Sequence, residues 1–261
     1  MKIDSSVAAV VTGAASGLGE ATARMLAAQG AKVAVFDMQE EKGKKVAAEI
    51  GGVFCKVDVT DEASIDAGLA AARAAHGVER VLVNCAGVAP GRRIISKNRE
   101  TGALMAHDVA YFARGVAINL TGTFAMIAKC ATAMAGLAAV DKDGLRGVIV
   151  STASVAAEDG QIGQACYSAS KAGVQGMTLP IARDLAQYGV RVATILPGLF
   201  HTPMFDGLPD EARESLAKSV PFPSRLGFPA EYAQLAKSII ENDMLNGVSI
   251  RLDGAIRLAP R

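Results

Sequence analysis

The feature that most constrains the fold of this chain is an apolar strand, a glycine-rich turn and a helix in direct succession near its start. The apolar run Val7 to Val11 leads into Thr12-Gly13-Ala14-Ala15-Ser16-Gly17-Leu18-Gly19, and a helical pattern extends from Glu20 to Gln29. Glycines permit positive φ, and the N-terminus of a helix offers free N–H groups to a phosphate. The spacing Gly-x-x-x-Gly-x-Gly differs from Gly-x-Gly-x-x-Gly, so this turn by itself is only weak evidence of a nucleotide site.

The same strand-and-helix alternation continues along the chain. Six further strands are predicted at Lys32–Phe36, Val53–Val57, Arg80–Val83, Gly147–Ser151, Arg191–Leu196 and Val248–Leu252. Alternating strands and helices predict a parallel sheet with helices on both faces and ligands at the carboxyl ends of the strands. Because α/β folds of this size form one unit, we expect a single domain over residues 1–261.

Composition narrows the class of function. A net charge of +1 gives no electrostatic footprint for nucleic acid, and the sequence shows no basic amphipathic helix for a membrane surface. The four cysteines fit neither a zinc pattern nor a redox pair, so we expect no metal and buried thiols in a reducing compartment. The first residues lack the apolar length of a signal segment, and a cytoplasmic location is expected. A small-molecule substrate is therefore the default.

Two acidic residues follow predicted strands. Asp37 ends the second strand, where a carboxylate accepts bonds from the adenosine ribose and repels a 2′-phosphate, which favours NAD over NADP. The alternative for Asp37 is an acid that starts the next helix. Asp58 follows the third strand and could accept from the adenine amine, or it could be a capping residue, with Thr60 or Asp61 beginning the next helix.

The stretch from Ser154 to Lys171 holds candidate proton-transfer groups. Tyr167 and Lys171 are four residues apart, on one face of a helix. A cation about 4 Å from a phenolate would lower the tyrosine pKa by about three units, which suits a general acid or base. Such pairs also occur by chance on exposed helices. Asn119 lies in an apolar run and needs a partner, which is a neighbouring carbonyl, a water or an active-site lysine.

Two long loops are candidates for substrate binding. In residues 88–108 the periodicity fails and basic residues cluster, which indicates a solvated loop or a site for an anionic substrate arm. Residues 199–228 are rich in Pro, Phe and Leu and are predicted to form a lid with a short helix at Pro209–Val220. The basic residues are Arg92, Arg93, Lys97 and Arg99.

Taken together, these motifs resemble the short-chain dehydrogenase/reductase family over essentially the whole chain. The pattern comprises Thr12-Gly13-x-x-x-Gly17-x-Gly19, Asp37, Asp58, Asn84-x-Ala86-Gly87, Asn119, Ser154, Tyr167-x-x-x-Lys171 and Pro197-Gly198. Cys85 departs from the pattern, because the family usually has a second Asn there. The resemblance implies a doubly wound Rossmann-type sheet of seven strands in the order 3-2-1-4-5-6-7 and oxidoreductase activity with NAD.

The resemblance also implies roles for residues. Tyr167 would remove the proton of a secondary alcohol while hydride passes to NAD, Lys171 would assist it, Ser154 would bond the substrate oxygen, and Asn119 would hold a relay water. Gln164, Phe205 and Leu208 are further predicted substrate contacts. The predicted cofactor contacts are Gly13, Ser16, Gly17, Leu18, Gly19, Asp37, Asp58, Val59, Asn84, Ala86, Gly87, Tyr167, Lys171, Pro197, Gly198 and Thr202.

Two stretches narrow the resemblance within that family. Ser151–Ala157 continuing to Asp184, and Asn246–Ile256, are similar to members that oxidise 3-hydroxyacyl-CoA thioesters with NAD as homotetramers. An acyl-CoA substrate is therefore expected. The alternatives are a 3-oxoacyl-thioester reductase, a steroid or short-chain alcohol dehydrogenase, and a nucleotide-binding scaffold or redox sensor without catalysis.

Overall fold

A computed structural model describes residues 1–203 and 209–260, which form one α/β unit. The strands of the central sheet are β1 (Ala8–Thr12), β2 (Lys32–Asp37), β3 (Val53–Lys56), β4 (Val81–Asn84), β7 (Gly147–Thr152), β8 (Val190–Pro197) and β9 (Ser249–Leu252). All pairings in this sheet are parallel, and its order is β3-β2-β1-β4-β7-β8-β9. The predicted seven-stranded order is confirmed, because β5 (Ile95–Lys97) and β6 (Leu104–Ala106) lie outside this sheet.

Helices cover both faces of the sheet. They are α1 (Gly17–Ala28), α2 (Glu40–Ile50), α3 (Glu62–His76), α4 (Val109–Val116), α5 (Gly122–Ala135), α6 (Ala165–Ala186), α7 (Asp210–Lys218) and α8 (Pro229–Glu241). Residues of α1, α2 and α8 pack on one face and residues of α3, α5 and α6 on the other. Since side chains alternate along a strand, the Val- and Ile-rich strands fill both cores at once.

The helical stretch Val109–Ala135 is interrupted. A single π-helical turn, Ala117–Thr121, separates α4 from α5, and Asp108 caps α4 by accepting from the Ala110 N–H at 2.8 Å. The run Val109–Ala135 is long and apolar enough to cross a membrane by length and composition. In this fold Met126, Ile127 and Met134 of α5 are core residues against the sheet, so packing accounts for much of that apolar character.

The basic loop contains an unpredicted hairpin. Strands β5 (Ile95–Lys97) and β6 (Leu104–Ala106) pair antiparallel around a turn in which Asn98 Oδ1 accepts from the Glu100 and Thr101 N–H groups. The prediction of an irregular loop was wrong for these six residues. Each strand has only three residues and no buried face, so the sequence shows no alternation to signal it.

The two ends of the predicted lid are joined. His201 N–H donates to the Gly227 carbonyl, and Gly227 N–H donates to the Leu199 carbonyl, both at 2.8 Å. The predicted helix inside the lid is present as α7. Phe205 and Leu208, which were predicted to contact substrate, lie outside the described residues.

Candidate active site

The site lies where the carboxyl ends of β1, β4, β7 and β8 meet. Cross-strand register aligns Thr12 with Asn84, Asn84 with Ser151 and Ser151 with Thr194. The loops that leave these strand ends carry the glycine turn, the Asn84–Gly87 segment, Ser154 and Gly198. Parallel pairing therefore collects at one edge the motifs that the sequence spreads over nearly two hundred residues.

The glycine turn is shaped for close backbone contact. Gly13 has φ +65° and Gly17 has φ +56°, which favour glycine. A Cβ at Gly13 would lie 2.7 Å from the Ala86 N atom, so the turn packs directly against the segment after β4. Helix α1 begins at Gly17, and its N-cap residue, Ser16, makes no side-chain capping bond. The first N–H groups of α1, including those of Gly17, Leu18 and Gly19, remain suited to an anion.

Asp37 is held by two backbone N–H groups, one on each carboxylate oxygen. Its Oδ1 accepts from the Gln39 N–H at 2.8 Å, just before α2, and its Oδ2 accepts from the Ala15 N–H at 2.9 Å in the glycine turn. The second bond was not predicted. Because two backbone donors fix the carboxylate beside the turn, Asp37 is oriented at the predicted place of the adenosine ribose.

Asp58 behaves locally as a turn residue. Its Oδ1 accepts from the Thr60 N–H and hydroxyl at 2.9 and 2.7 Å, whereas Asp61 caps α3 by accepting from the Ala63 N–H. The carbonyl and side chain of Val59 approach Gly122 at the start of α5. Asp58 and Val59 thus line the same edge as the glycine turn, and their adenine contacts remain predictions.

The segment after β4 is held by Thr12, a member of the glycine-turn motif to which the sequence assigned no separate role. The Thr12 hydroxyl accepts from the N–H groups of Cys85 and Ala86 at 3.2 and 3.1 Å. Asn84 Nδ2 donates to Ser151 Oγ at 3.4 Å, while its buried Oδ1 has no partner among the described residues. A Cβ at Gly87 would lie 3.4 Å from Lys171 Nζ, so glycine keeps the space in front of the lysine open.

Asn119 lies in the π turn and is fully buried. Its Oδ1 accepts from the Val88 N–H at 2.8 Å, and its Nδ2 donates to the Val88 carbonyl at 2.9 Å and to Ser170 Oγ at 3.0 Å. A backbone carbonyl was one of the predicted partners. The amide thereby clamps the loop after β4 to α6, next to Lys171, and the relay water remains a prediction. Ser170 was missed, although it directly precedes Lys171.

Ser154 and Tyr167 stand at the start of the proton-transfer region. Ser154 Oγ accepts from the Ala156 N–H at 3.1 Å and begins a short 3₁₀ turn, Val155–Ala157. Its hydroxyl proton is therefore left for another acceptor. Burial raises the pKa of Tyr167, and a hydrogen bond from Ser154 acts in the opposite direction.

Lys171 is almost completely enclosed, with 6% of its surface exposed. Its Nζ donates to the Thr152 carbonyl at 2.8 Å and lies 5.9 Å from the centroid of the Tyr167 ring. Burial lowers the pKa of Lys171 to about 8. The predicted fall of the Tyr167 pKa is not produced by these residues, because burial penalises both the ammonium and the phenolate.

The loop after β8 approaches the glycine turn. Gly198 N–H donates to the Leu252 carbonyl at 2.9 Å, which fixes the Pro197-Gly198 corner against β9. A Cβ at Gly17 would lie 3.3 Å from Thr202 Cγ2, so Thr202 borders the start of α1. A cavity of about 380 Å³ opens here and is lined by Gly17, Glu20, Ala21, Arg24, His201, Thr202, Pro203 and Pro229.

Of the predicted substrate residues, Gln164 lies in the segment that precedes α6. Its Oε1 accepts from the Gln161 N–H at 3.0 Å. Arg92 N–H donates to the Gly163 carbonyl at 2.8 Å, which joins the hairpin to this segment, and its guanidinium lies 4.5 Å from the centroid of the Tyr111 ring. Arg93, Lys97 and Arg99 are also exposed.

Sequence and structure comparisons agree with this geometry. The profile of the short chain dehydrogenase family matches residues 7–213. The chain belongs to this family, and the predicted family resemblance is confirmed. The protein is therefore an oxidoreductase that interconverts an alcohol and a ketone.

Within the family, the chain is similar to proteins called 3-hydroxyacyl-CoA dehydrogenase type-2. The Drosophila melanogaster protein of this name is 52% identical over 253 residues, which cover 96% of this chain and 97% of the relative. The Homo sapiens protein is 51% identical over 254 residues, with 97% and 95% covered. The crystal structure of the type-2 protein from Mycobacterium avium is 40% identical, covers 98% of both chains and superposes with a TM-score of 0.91.

Proposed function

We propose that this protein uses NAD to interconvert a 3-hydroxyacyl-CoA and the corresponding 3-ketoacyl-CoA. The observation that carries the proposal is the joint position of Ser154, Tyr167 and Lys171 beside a glycine turn whose neighbouring carboxylate is Asp37. The names of the relatives at about half identity supply the substrate class. We take the alcohol-to-ketone direction as the one to assay first.

The residues present fit a nicotinamide dinucleotide. The N-terminus of α1, which has no side-chain cap, suits the phosphates of the dinucleotide. The unpartnered Asn84 Oδ1 suits a hydroxyl or amide donor near the sugar and base of the dinucleotide. Asp37 favours NAD, because a fixed carboxylate accepts from ribose hydroxyls and repels a 2′-phosphate. Tyr167 and Lys171, with Pro197, Gly198 and Thr202, would hold the nicotinamide end.

The chemistry divides among groups of this chain. NAD, when bound, supplies the hydride acceptor and a positive ring. Tyr167 accepts the proton of the substrate hydroxyl at its phenolic oxygen, and the nearby Lys171 ammonium favours the phenolate. Ser154 donates its hydroxyl proton to the substrate oxygen in place of Tyr167, while one lone pair of its oxygen accepts from the Ala156 N–H. Asn119 holds the Val88 loop against α6 through its bonds to Val88 and Ser170.

The basic hairpin supports a CoA ester as the substrate. Arg92 and Arg93, in the loop before β5, and Lys97 and Arg99, in the hairpin, are all exposed, and this loop joins the Gln164 segment through the Arg92 N–H. Guanidinium groups suit phosphates, and a local positive field attracts an anionic substrate arm. The acyl chain would then lie toward Gln164 and the lid.

Three alternatives are open to experiment. A 3-oxoacyl-thioester reductase that uses NADPH has the same catalytic set, but Asp37 disfavours its cofactor. A steroid or short alcohol would use the same proton-transfer groups without the hairpin. A scaffold without catalysis is disfavoured because all four catalytic positions carry the residue types that the reaction needs, namely Asn119, Ser154, Tyr167 and Lys171.

Assembly and location are also part of the proposal. Exposed apolar side chains on α4 and α5, with Val109 and Phe124 77% and 52% exposed, support association of copies through these helices. We expect a homotetramer, which light scattering after size-exclusion chromatography measures directly; a monomer would contradict this part. A cytoplasmic location remains a prediction from cysteine usage.

A substrate and cofactor screen tests the proposal. NADH and NADPH formation are measured with 3-hydroxyacyl-CoA esters of several chain lengths, a steroid alcohol and short secondary alcohols. We expect NADH formation with a CoA ester at the highest kcat/KM. Faster turnover with NADP would favour the reductase, faster turnover of a CoA-free alcohol would reject the CoA ester, and no turnover at all would favour the scaffold.

A further inference from the structure

A buried polar cluster lies behind the active site, at the end of β7. Thr152 Oγ1 lies 2.6 Å from the Asn84 carbonyl oxygen, 2.7 Å from the Tyr232 hydroxyl oxygen and 3.5 Å from Cys85 Sγ. Tyr232 belongs to α8, which packs on the face of the sheet opposite α6. The side chain of Tyr232 is completely buried, so its hydroxyl must find a partner inside the protein.

Simple accounting assigns the protons in this cluster. A carbonyl oxygen only accepts, so the single Thr152 hydroxyl proton is donated to Asn84. The Tyr232 hydroxyl must then donate to Thr152 Oγ1. The Cys85 thiol lies 3.6 Å from the Tyr232 oxygen and can donate to it, and burial raises the pKa of Cys85, which keeps the thiol protonated. The hydrogen bonds therefore run in one direction, from the Cys85 thiol through the Tyr232 and Thr152 hydroxyls to the Asn84 carbonyl at the end of β4.

The same threonine holds the catalytic lysine through its backbone. Lys171 Nζ donates to the Thr152 carbonyl at 2.8 Å, and this is its single hydrogen bond to a protein atom within residues 1–203 and 209–260. The titratable groups that face the ammonium there are Tyr167 from α6 and Cys85 from the end of β4. The place of the ammonium therefore depends on where the Thr152 peptide is held.

We propose that Tyr232 is a positioning residue for catalysis: through Thr152 it fixes the carbonyl that places the Lys171 ammonium beside Tyr167. Tyr232 acts from the far side of the sheet, because the side chain of Thr152 bonds to Tyr232 while its carbonyl bonds to Lys171. Helix α8 is thereby coupled to proton transfer. The inference deepens the proposed function and rests on it, since it assumes that Lys171 assists Tyr167.

The test removes one hydroxyl at a time. Tyr232→Phe keeps the buried ring, Thr152→Val removes the hydroxyl at nearly constant volume, and Thr152→Ser restores a hydroxyl. Tyr188→Phe, at an exposed residue beyond α6, is the matched control. Steady-state kinetics with the best secondary alcohol are combined with an NMR titration of the Lys171 side chain, whose signal is assigned by its loss in Lys171→Met.

We expect Tyr232→Phe to lower kcat by about fivefold, the effect of one neutral hydrogen bond, with KM for NAD unchanged. The Lys171 titration should move to lower pH, because a displaced acceptor favours the ammonium less. Thr152→Val should show both effects, and Thr152→Ser should recover kcat relative to Thr152→Val. Melting temperatures are measured in parallel, since a purely structural residue would move these alone.

The inference is overturned if Tyr232→Phe matches Tyr188→Phe in kcat and in the Lys171 titration while only the melting temperature falls. The titration needs no substrate. A wild-type protein that turns over no alcohol would therefore contradict the proposed function, while the titration still decides whether Tyr232 positions Lys171.

Discussion

At the scale of single residues, the site is dominated by burial rather than by charge pairing. Lys171 and Tyr167 are four residues apart on α6, yet burial shifts both pKa values toward the neutral forms. Burial of the Lys171 amine costs folding free energy. Such buried titratable groups are common at sites of proton transfer. A bound positive ring would favour the phenolate, which burial of Tyr167 and Lys171 disfavours.

Replacement of the catalytic tyrosine gives the most direct residue-scale prediction. Tyr167→Phe should reduce kcat by at least about a thousandfold, because the phenolic oxygen that accepts the proton is gone. NAD affinity, measured by calorimetry, should change by less than about threefold, since most predicted cofactor contacts lie elsewhere. Tyr188→Phe provides the control. Substantial activity in Tyr167→Phe would refute the assignment.

The buried lysine should leave a signature in stability against pH. Its folded pKa is about 8, below the unfolded value of 10.5. Between these values the unfolded chain binds more protons, so the contribution of Lys171 to the free energy of unfolding rises with pH across this window. The gain has an upper limit of roughly 3 kcal/mol.

Urea unfolding of wild type and Lys171→Met at several pH values measures this contribution. Groups remote from Lys171 titrate in the same range, but they cancel in the difference between the two proteins. We expect the free energy of unfolding of wild type to rise relative to that of Lys171→Met from about pH 8 upward. Parallel curves for the two proteins would show that Lys171 is not titrating with a lowered pKa.

At the scale of elements, connections between loops complete the site. The π turn places Asn119 between the Val88 loop and Ser170, and the loop that leads into the hairpin of β5 and β6 joins the Gln164 segment through Arg92. A π turn adds one residue to a helical turn, which redirects the side chains that follow. Both features are short and local, but each fixes a catalytic or substrate segment.

Charge reversal on the hairpin tests its role. Arg92→Glu with Arg93→Glu should raise KM for a CoA ester by roughly tenfold at low ionic strength, because four exposed cations otherwise attract the phosphates. The effect should shrink with added salt and be absent for a CoA-free alcohol.

The matched control is Lys142→Glu with Arg183→Glu. These exposed residues lie near the amino ends of β7 and β8, so the net charge changes equally but far from the site. An equal increase of KM in the control, or for a CoA-free alcohol, would argue against a phosphate site. Arg93→Glu alone checks that loss of the Arg92–Tyr111 contact is not the cause.

At the scale of the whole molecule, the last strand secures the middle of the chain. Arg251 on β9 bonds to Asp159 at 2.6 Å, to Glu158 at 2.5 Å and to Asp253 at 2.7 Å. Glu158 and Asp159 closely follow Ser154, and they are 93 and 92 residues away from Arg251 in the sequence. Burial lowers the pKa of Arg251, but the three carboxylates outweigh it and raise the pKa above its usual value.

Arg251→Gln should lower the free energy of unfolding by roughly 2 kcal/mol, because partly buried carboxylates lose their counter-charge. KM for the alcohol substrate should rise, since the segment between Ser154 and Gln164 loses this support. Arg257→Gln is the control: Arg257 also contacts Asp253 but is 65% exposed, and it should cost below about 0.5 kcal/mol. Denaturant unfolding and kinetics measure both. Equal effects of the two substitutions would show that the buried network is not what matters.

Several features of the fold and site could be predicted from the sequence because their causes are local or periodic. Apolar strand runs, the glycines at Gly13 and Gly17, and the i, i+4 spacing of Tyr167 and Lys171 need no knowledge of distant contacts. The hairpin escaped because six exposed residues carry no burial pattern. Tyr232 escaped because an aromatic residue on an amphipathic helix reads as core, and its hydroxyl partner lies eighty residues away.

The sequence by itself determined the alternation of strands and helices, the edge at which the site forms and the spacing of the proton-transfer pair, whereas the order of the sheet was implied by the family resemblance. Hydrophobic periodicity and glycine geometry are properties of short segments, and they survive without tertiary information. Only the tertiary structure decided that Asp37 binds the glycine turn, that Asn119 clamps Val88 to α6, and that Lys171 is buried on the Thr152 carbonyl. Hydrogen-bond partners and desolvation depend on which distant groups are packed together, and that is set only when the chain has closed around them.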